Sequence, residues 1–545
     1  MPLFANDTGP TVGLFTNDEG AYNGYTLFAP NRSNITYLID NNGEVVNTWT
    51  SAFGPGVSVY LKENGNLIRT ANIRETNTTF GGIGGGGGRI EEYTWEGDLV
   101  WGYNYSASSD DYLSEPVMQH HDIAVLPNGN VLILAWEFKS GAQAIAAGRD
   151  PALMEDGIVF PEHIIEVEPQ GQTGGNIVWR WDLWDHMIQD FDTTQQNFGV
   201  VADHPELVDI NFGNTVDDWV HANALAYNAD LDEIMISAHA FNELWVIDHS
   251  TTTEEAASHT GGQSGKGGDL LYRWGNPQAY DRGDESDRQL FRQHDTQWIA
   301  SGLNGAGNIL IFNNGQQRTP DEYSTVDEIA PPVDESGNYA IEDGEAFGPA
   351  GTTWSYQAPN PTDFYSSFIS GAQRLPNGNT LIDAGAQGHF FEVTSEGDIV
   401  WDYVNPVVAT GPLAQGQVPE DRANIVFRSP RYGKDFPAFQ GKDLTPLGVI
   451  ELPKLDETAT PVADPIDTPV PTETEVPPTP VFGDANCDGE VDSIDAVLIL
   501  QFDAGLLSAL ACDQNADAND DGAVNAIDAA LILQLTAGLL PALPP

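Results

Sequence analysis

The sequence predicts an all-β fold, a six-bladed β-propeller, followed by a Pro/Thr-rich linker and a small α-helical module with two EF-hand-like calcium loops. Three observations carry this. A polar residue, often histidine, opens an apolar strand, and the phrase recurs along most of the chain. A stretch of Pro, Thr, Glu and Asp then interrupts the β pattern. After it, one acidic loop phrase is written twice. The boundaries read 1–454 for the propeller, 455–481 for the linker and 482–545 for the module.

Taken in order, the strands from Tyr25 to Leu452 are short runs of alternating apolar and polar residues broken at Asn-Gly turns, the strongest short-range hairpin signal. Tyr37-Leu38-Ile39-Asp40-Asn41-Asn42-Gly43-Glu44-Val45-Val46 is one hairpin; Tyr60-Leu61-Lys62-Glu63-Asn64-Gly65-Asn66-Leu67-Ile68 is the next. The inner phrase appears as Gln119-His120-His121-Asp122 running into Leu126-Pro127-Asn128-Gly129-Asn130, as Trp219-Val220-His221-Ala222-Asn223, and as Gln293-His294-Asp295. It returns without histidine as Gly371-Ala372-Gln373-Arg374-Leu375-Pro376-Asn377-Gly378. An outer phrase repeats as well: Ile90 to Trp101 matches Phe390 to Trp401, and further copies end at Trp179 and Trp274. A four-strand unit recurring about six times, the last closed by N-terminal strands, makes a propeller. Long loops at Asp182–Asp217 and Gln316–Tyr356 are expected to cover one face. Gly81–Gly88, nearly pure glycine, is expected to be flexible or closely approached by another group.

Composition narrows the function classes. Against 81 Asp and Glu stand 21 Lys and Arg, a formal net charge of −60. Such a surface repels nucleic acid and anionic membranes and points to a saline or extracellular setting. No apolar run is long enough to span a bilayer. Met1 to Pro10 lacks the basic start and apolar core of a signal peptide; a secreted or cell-surface location is expected, with the signal removed.

Asp456 to Thr479 holds no aromatic residue, Lys or Arg, cannot bury enough apolar surface to fold, and reads as an extended linker. Beyond it, Asp484-Ala485-Asn486-Cys487-Asp488-Gly489-Glu490-Val491-Asp492-Ser493-Ile494-Asp495 is echoed by Asp517-Ala518-Asn519-Asp520-Asp521-Gly522-Ala523-Val524-Asn525-Ala526-Ile527-Asp528. Calcium coordination asks for oxygen ligands at these spacings and a glycine at the sharp turn. The expected Ca2+ ligands are Asp484, Asn486, Asp488, Glu490, Asp492 and Asp495 at one site, and Asp517, Asn519, Asp521, Ala523, Asn525 and Asp528 at the other. Each loop runs into an apolar helix, Ala496–Phe502 and Ala529–Leu535. No Lys or Arg follows Lys454, which leaves a bound cation to neutralise these carboxylates. A disulfide between Cys487 and Cys512 would staple so small a module, and two buried free thiols are the alternative.

Of the 11 histidines, His163, His186, His204, His249 and His259 lie in polar stretches and read as solvated. His121, His221 and His294 open inner strands. Singly, each reads as a structural histidine joining blades; together, they converge on the propeller axis. His239 and His389 are placed on second strands. Converging imidazoles admit two chemistries: metal ligation with an open position, or one nucleophilic imidazole among donors that hold an anionic group.

These motifs carry a resemblance. His121-Asp122 before Leu-Pro-Asn-Gly-Asn, Asp218-Trp219-Val220-His221-Ala222-Asn223, Gln293-His294-Asp295 and Val426-Phe427-Arg428-Ser429-Pro430-Arg431-Tyr432-Gly433 together resemble the arylsulfotransferase family, PAPS-independent enzymes on a six-bladed propeller. The resemblance spans most of residues 20–452. It implies sulfuryl transfer from an aryl sulfate to a phenolic acceptor through a transiently sulfated histidine, without nucleotide cofactor. By motif, His294 is the nucleophile, His221 and Asn223 hold the sulfuryl oxygens, and His121 is a further histidine of the site. Where the best-known bacterial members carry an arginine on the strand after His-x-Asn, this sequence offers His239; a protonated His239, or Arg374, is expected to stand in. The tandem acidic loops resemble a type I dockerin, which implies a cohesin-type protein partner. Ser493-Ile494 and Ala526-Ile527 depart from the paired hydroxyl residues of well-known cellulosomal dockerins. Two other functions stay open: a non-catalytic propeller that binds a carbohydrate, phenolic or protein ligand, and a histidine-ligated metal hydrolase or lyase.

Overall fold

Asn-Gly turns close hairpins as the pattern predicts, with Gly43, Gly65, Gly129 and Gly378 at φ between +76° and +90°, a region glycine enters without strain. The computed structural model describes residues 9–80, 82–107, 116–454, 482–486, 491–503, 507, 510, 512–519, 522–536, 540 and 543. They belong to two units, Met1–Asp456 and Glu457–Pro545.

The first unit is built from six antiparallel sheets of four or five strands, a six-bladed propeller. From the axis outward, blade 1 runs Arg431–Gly433, Gly24–Phe28, Ile35–Asp40 and Val45–Thr50. Blades 2 to 6 set Pro55–Leu61, Val117–Val125, Ala222–Asn228, His294–Trp298 and Gly371–Arg374 along the axis. Their fourth strands are Leu99–Asn104, Gly174–Asp182, Tyr272–Trp274, Trp354–Tyr356 and Ile399–Val404. The stretch 316–356, expected as one long loop, supplies the third and fourth strands of blade 5, Thr325–Ile329 and Trp354–Tyr356. Their polar residues, such as Asp327 and Glu328, hid them, because both carboxylates are buried on hydrogen bonds rather than solvated.

The tryptophan that ends each outer phrase joins one blade to the next. Indole Nε1–H groups donate from Trp49 to Thr94 O at 2.9 Å, Trp101 to Gly174 O at 2.9 Å and Trp179 to Thr251 Oγ1 at 3.1 Å. The belt continues from Trp274 to Pro349 O at 2.8 Å, Trp354 to Ser395 O at 3.2 Å and Trp401 to Asn41 O at 2.9 Å. Each acceptor lies between the third and fourth strands of the following blade or, for Gly174, opens the fourth, so the belt runs once round the ring and returns to blade 1. A buried indole N–H demands such a partner, while its ring fills the space between sheets.

Closure runs in both directions. The N-terminal strand Gly13–Asn17 pairs at the rim of blade 6, as expected. The innermost strand of blade 1 comes instead from the C-terminal end of the unit, Arg431–Gly433. Three residues are too few to show alternation. Arg431 fixes the joint: its buried guanidinium meets Glu392 of blade 6 at 2.6 Å, donates to Thr26 of blade 1 at 2.9 Å and lies 4.1 Å from the Trp401 ring centroid.

In the second unit, helices Ser493–Asp503 and Ala526–Thr536 pack through Ala496, Ile499, Ala529 and Ile532, with Ala485, Ala516 and Ala518 filling the gap. Both begin earlier than the apolar runs suggested. Among the described residues, no helix is long and apolar enough to cross a membrane.

Removing one partner of a fully buried ion pair strands the other charge, which costs about 3–5 kcal/mol. Arg431→Met should lower the unfolding free energy of the propeller by about that much. Trp101→Phe, which deletes one bond of the belt, should cost only about 1 kcal/mol. Denaturant titration followed by tryptophan fluorescence measures both.

Candidate active site on the propeller axis

Four inner strands are bulged near their beginnings. Pairing skips between Pro55 and Val59, Gln119 and Ile123, Ala222 and Leu225, and His294 and Gln297. A bulge breaks the strict alternation of a strand and re-aims side chains. At or beside these bulges His121, His221 and Asp295 adopt left-handed φ values of +47°, +50° and +50°, each at a cost of about 1–2 kcal/mol that surrounding packing must cover.

The result is a row of imidazoles. Ring centroids lie 4.8 Å apart for His121 and His221, 4.9 Å for His221 and His239, and 5.2 Å for His239 and His294. Phe427, from the closing segment, flanks the ends at 6.0 Å from His121 and 6.4 Å from His294. The glycine-rich loop presses on the row. Gly85 O accepts the His121 N–H at 2.8 Å, and a Cβ on Gly85 would stand 2.0 Å from the His121 ring. Close approach is what this loop requires of its glycines.

His294 is fixed by an amide. Asn314 gives its Nδ2 hydrogens to Ser366 O at 2.7 Å and Ile369 O at 2.9 Å, so its Oδ1 must be the acceptor for His294 Nδ1–H at 2.8 Å. Nε2 therefore carries the lone pair, which accepts the Ile369 N–H at 3.2 Å. Burial lowers the pKa of His294 to about 3, against the opposing pull of Asn314, so the ring is neutral near pH 7. His221 behaves differently. Burial disfavours its charge, but Asp218, hydrogen-bonded to Nδ1, outweighs that and raises its pKa above the ordinary value. Asn223 Nδ2 donates to Gln293 O at 2.9 Å, which leaves its second amide hydrogen for a ligand.

Comparison with known proteins follows from this geometry. The Arylsulfotransferase (ASST) family model matches residues 16–407. The chain belongs to the arylsulfotransferase family. Its C-terminal residues 482–535 match the Dockerin type I domain. Arylsulfate sulfotransferase AssT of Escherichia coli O6:H1 is 23% identical over 416 residues, covering 71% of this chain and 61% of that protein. Among solved structures, a protein of unknown function from Bacteroides caccae is 12% identical over 70% of this chain and 94% of its own, with a TM-score of 0.36. A virginiamycin B lyase from Staphylococcus aureus is 11% identical over 74% and 87%, TM-score 0.32. A cohesin–dockerin complex from Acetivibrio cellulolyticus matches with 28% identity over 12% of this chain and 92% of that one, TM-score 0.12.

Of the residues expected at an arylsulfotransferase site, His121, His221, His239, His294 and Asn223 are brought together. Arg374 is not. Its strand has carried it away from the axial end, and its guanidinium meets Glu328 at 2.8 Å and lies 5.1 Å from the Trp354 ring centroid. A protonated His239 is also corrected: burial, then the charges of His221, His294 and Arg292, push its pKa well below the ordinary value. The cation that is present is Arg292. Its charge bears on both His221 and His239, and its polar contacts are 3.4 Å approaches to Asn214 Oδ1, with no carboxylate partner among the described residues.

Other histidines also move. His389 opens a third strand, not a second, and bonds to Asp402 at 2.8 Å. His163 and His186 are fully buried, against Tyr105 and Asp269, and His249 is largely enclosed between Glu166 and Asp232; His204 and His259 are the exposed ones. Among the described residues, His186, His259 and Asp269 are the one group of three His, Cys, Asp or Glu whose ligand atoms all lie within 4.8 Å of one another. The axial imidazoles form a row instead.

On the other side of the inner strands the axis is plugged. Arg428 meets Asp122 at 2.7 Å and also contacts Asp295, while Tyr60 Oη donates to Asp122 at 2.7 Å. Past this plug opens a cavity of about 890 Å³, lined by Tyr60, Asp383, Arg428 and Ser429 among others and by none of the histidines.

The described residues of the two acidic loops of the dockerin make matching contacts. Asp495 accepts the Ala485 N–H at 2.8 Å and the Asp492 N–H at 2.9 Å; Asp528 accepts those of Ala518 and Asn525, both at 2.9 Å. Both carboxylates are fully buried in a module that has no Lys or Arg, a donor set that fits a bound cation. Asp484, Asn486 and Asp492 accompany Asp495, and Asp517, Asn519, Ala523 and Asn525 accompany Asp528 along the chain. Asp488, Glu490 and Asp521 lie outside the described residues. Cys512 is disulfide-bonded; Cys487, the other cysteine of the chain, lies outside the described residues.

Selective 15N labelling of histidine checks the electrostatics directly. At neutral pH His294 should give the signals of a neutral ring protonated at Nδ1, and it should not titrate until the pH approaches about 3. Asn314→Ala should release that tautomer preference.

Proposed function

We propose that the propeller moves a sulfuryl group from an aryl sulfate to a phenolic acceptor, with His294 as the group that becomes transiently sulfated. The observation that supports this most is the His294 ring itself: neutral, held at Nδ1 by Asn314, with an Nε2 lone pair whose one partner among the described residues, the Ile369 N–H at 3.2 Å, gives way to sulfur on attack. Attack on sulfur needs that lone pair, and the committed Nδ1–H keeps the ring oriented while positive charge develops on it. The sulfuryl group carries spread negative charge through transfer. The His221 imidazolium, the free amide hydrogen of Asn223 and the Arg292 guanidinium supply charge and donors for its oxygens, in a buried setting where these count for more than in water. Family membership and the AssT relative favour the same chemistry.

The dockerin is proposed to hold Ca2+ in both loops and to tether the enzyme to a cohesin-type protein outside the cell or at its surface. Ile494 and Leu500 on one helix, and Ile527 and Leu533 at the matching positions of the other, are 55%, 41%, 58% and 42% exposed, a duplicated apolar face suited to such a partner.

Incubation with 4-nitrophenyl sulfate, with and without phenol, followed by peptide mass spectrometry, should find a sulfated His294 that disappears when phenol is added. His294→Ala should abolish transfer. His221→Ala and Asn223→Ala should each slow it on the order of a hundredfold. Because His221 acts as a cation with a raised pKa, the rate should fall as the pH rises through that pKa; protonation of His294 should not limit it on the acid side until about pH 3. A propeller that binds aryl sulfates without turnover would support the binding-module reading instead.

Chelation separates the two units. EDTA should unfold the dockerin, removing its helical circular dichroism and lowering its melting transition, because repulsion between its carboxylates is then uncompensated. The propeller transition should stay where it is.

A further inference from the structure

Beside the row of imidazoles lies a second set of buried groups that the transfer chemistry has not used. His120 is fully buried and stacks on Trp136, centroids 4.0 Å apart and planes 9° from parallel. Its Nε2 lies 2.7 Å from Glu162 Oε2, and its Nδ1 lies 2.9 Å from His121 Nδ1. Glu162, the first residue of the third strand of blade 3 and also buried, accepts the Ala222 N–H on its other oxygen at 2.8 Å. A continuous line of hydrogen-bonding atoms therefore leads from a buried carboxyl to His121, whose Nδ1 is taken and whose Nε2 remains for the site.

Such a line has two arrangements, which differ by the proton on His121 Nε2 and by the shift of the two hydrogens behind it. Burial holds the Glu162 carboxyl well above the usual carboxylate range and lowers His120 to about 3 and His121 well below its ordinary value, so the resting line is an acid and two neutral rings. In that state Glu162 O–H donates to His120 Nε2, His120 Nδ1–H donates to His121 Nδ1, and His121 carries its hydrogen on Nε2. In the other, the Glu162 carboxylate accepts both the Ala222 N–H and the His120 Nε2–H. His121 Nδ1–H then donates to His120 Nδ1, and His121 Nε2 is bare. No heavy atom has to move. Asp218 and the His221 imidazolium face the line from blade 4 as an ion pair of their own, and His239 and His294 beyond them are neutral. The positive His221 is the near charge that offsets a Glu162 carboxylate.

We propose that Glu162, His120 and His121 form the proton relay of the transfer reaction, an inference that rests on the sulfotransferase reading above. In the first half, an N–S bond forms at His294 Nε2 and the S–O bond to the aryl group breaks, its electron pair leaving on oxygen. The departing phenolate takes the hydrogen of His121 Nε2; the line shifts, and Glu162 is left as a carboxylate. In the second half, the acceptor phenol gives its proton to His121 Nε2 as its oxygen attacks sulfur. The N–S bond breaks with its pair returning to His294, and Glu162 regains its proton. One proton leaves the relay and one enters, so the full cycle balances. His121 is the member that touches substrate; His120 and Glu162 act through it.

The test is selectivity among leaving groups, which a purely structural defect would not change. In Glu162→Gln the amide keeps both hydrogen bonds but cannot release a proton. His120→Phe keeps the stack on Trp136 and cuts the line. Transfer from phenyl sulfate, whose leaving phenol is weakly acidic, should fall about 10²–10⁴-fold in either variant. Transfer from 4-nitrophenyl sulfate, whose phenolate leaves unaided, should fall less than about tenfold in its sulfation half-reaction. Equal losses for both donors, or no loss, in a variant that melts like wild type would overturn the relay while leaving the sulfotransferase reading intact; if one variant does not fold, the other decides. A wild-type protein that transfers nothing from either donor removes the parent reading and the relay with it.

Discussion

Arg428 reaches across the channel to Asp122 of blade 3 and Asp295 of blade 5, and the geometry of the axis hangs on that contact. Each carboxylate follows a histidine of the candidate site, His121 and His294, so one guanidinium ties together the inner strands of two blades. The contact is buried, and its desolvation is repaid only because several partners share it: Tyr60 and the Leu225 N–H on Asp122, the Ala372 N–H on Asp295. Phe427, one residue earlier, packs against the same two histidines, 6.0 Å from one and 6.4 Å from the other. A single stretch of chain thus plugs the axis and walls the histidine row.

The site works through contrast rather than through net charge. In a protein with 81 acidic and 21 basic residues, the axis is a place where the local field is reversed, as the proposed anionic substrate would require. Three of the four axial imidazoles are held neutral by burial, the fourth is drawn toward its cation by Asp218, and Arg292 stands beside them with no carboxylate partner among the described residues. In the transfer proposed above, the neutral rings would supply a lone pair and movable hydrogens, and the two basic groups would supply charge. Had all four rings been exposed, none would be fixed in the role its position requires.

Much of this was legible in the sequence, for a physical reason. The Asn-Gly turns and the outer-strand tryptophans answer to local needs, a left-handed glycine and a buried indole N–H, and such needs repeat wherever the blade repeats. The inner-strand histidines were visible because they share a place in that unit. What escaped belongs to no repeat. Asn314 sits in a turn of blade 5, and Arg431–Gly433 is too short to show a period. Arg374 looked eligible because it lies in the inner phrase, yet three residues of strand are enough to move a side chain out of reach of the axis. His163 and His186 looked solvated from their polar neighbours; blade packing buries them with those neighbours as partners. The bulges that aim His121 and His221 leave no mark in residue type at all.

The position of the closing strand also bears on how the propeller comes into being. Blades 2 to 6 are complete, strand by strand, before the polypeptide reaches Phe427, and all four axial histidines have been synthesised by then. Still missing are the wall at Phe427, the cross-channel Arg428 and the inner edge of blade 1. A chain cut before Phe427 therefore leaves its histidine row open on one side, where solvent draws a buried imidazole back toward its ordinary ionisation. The row is walled only once residues 427–433 have been made.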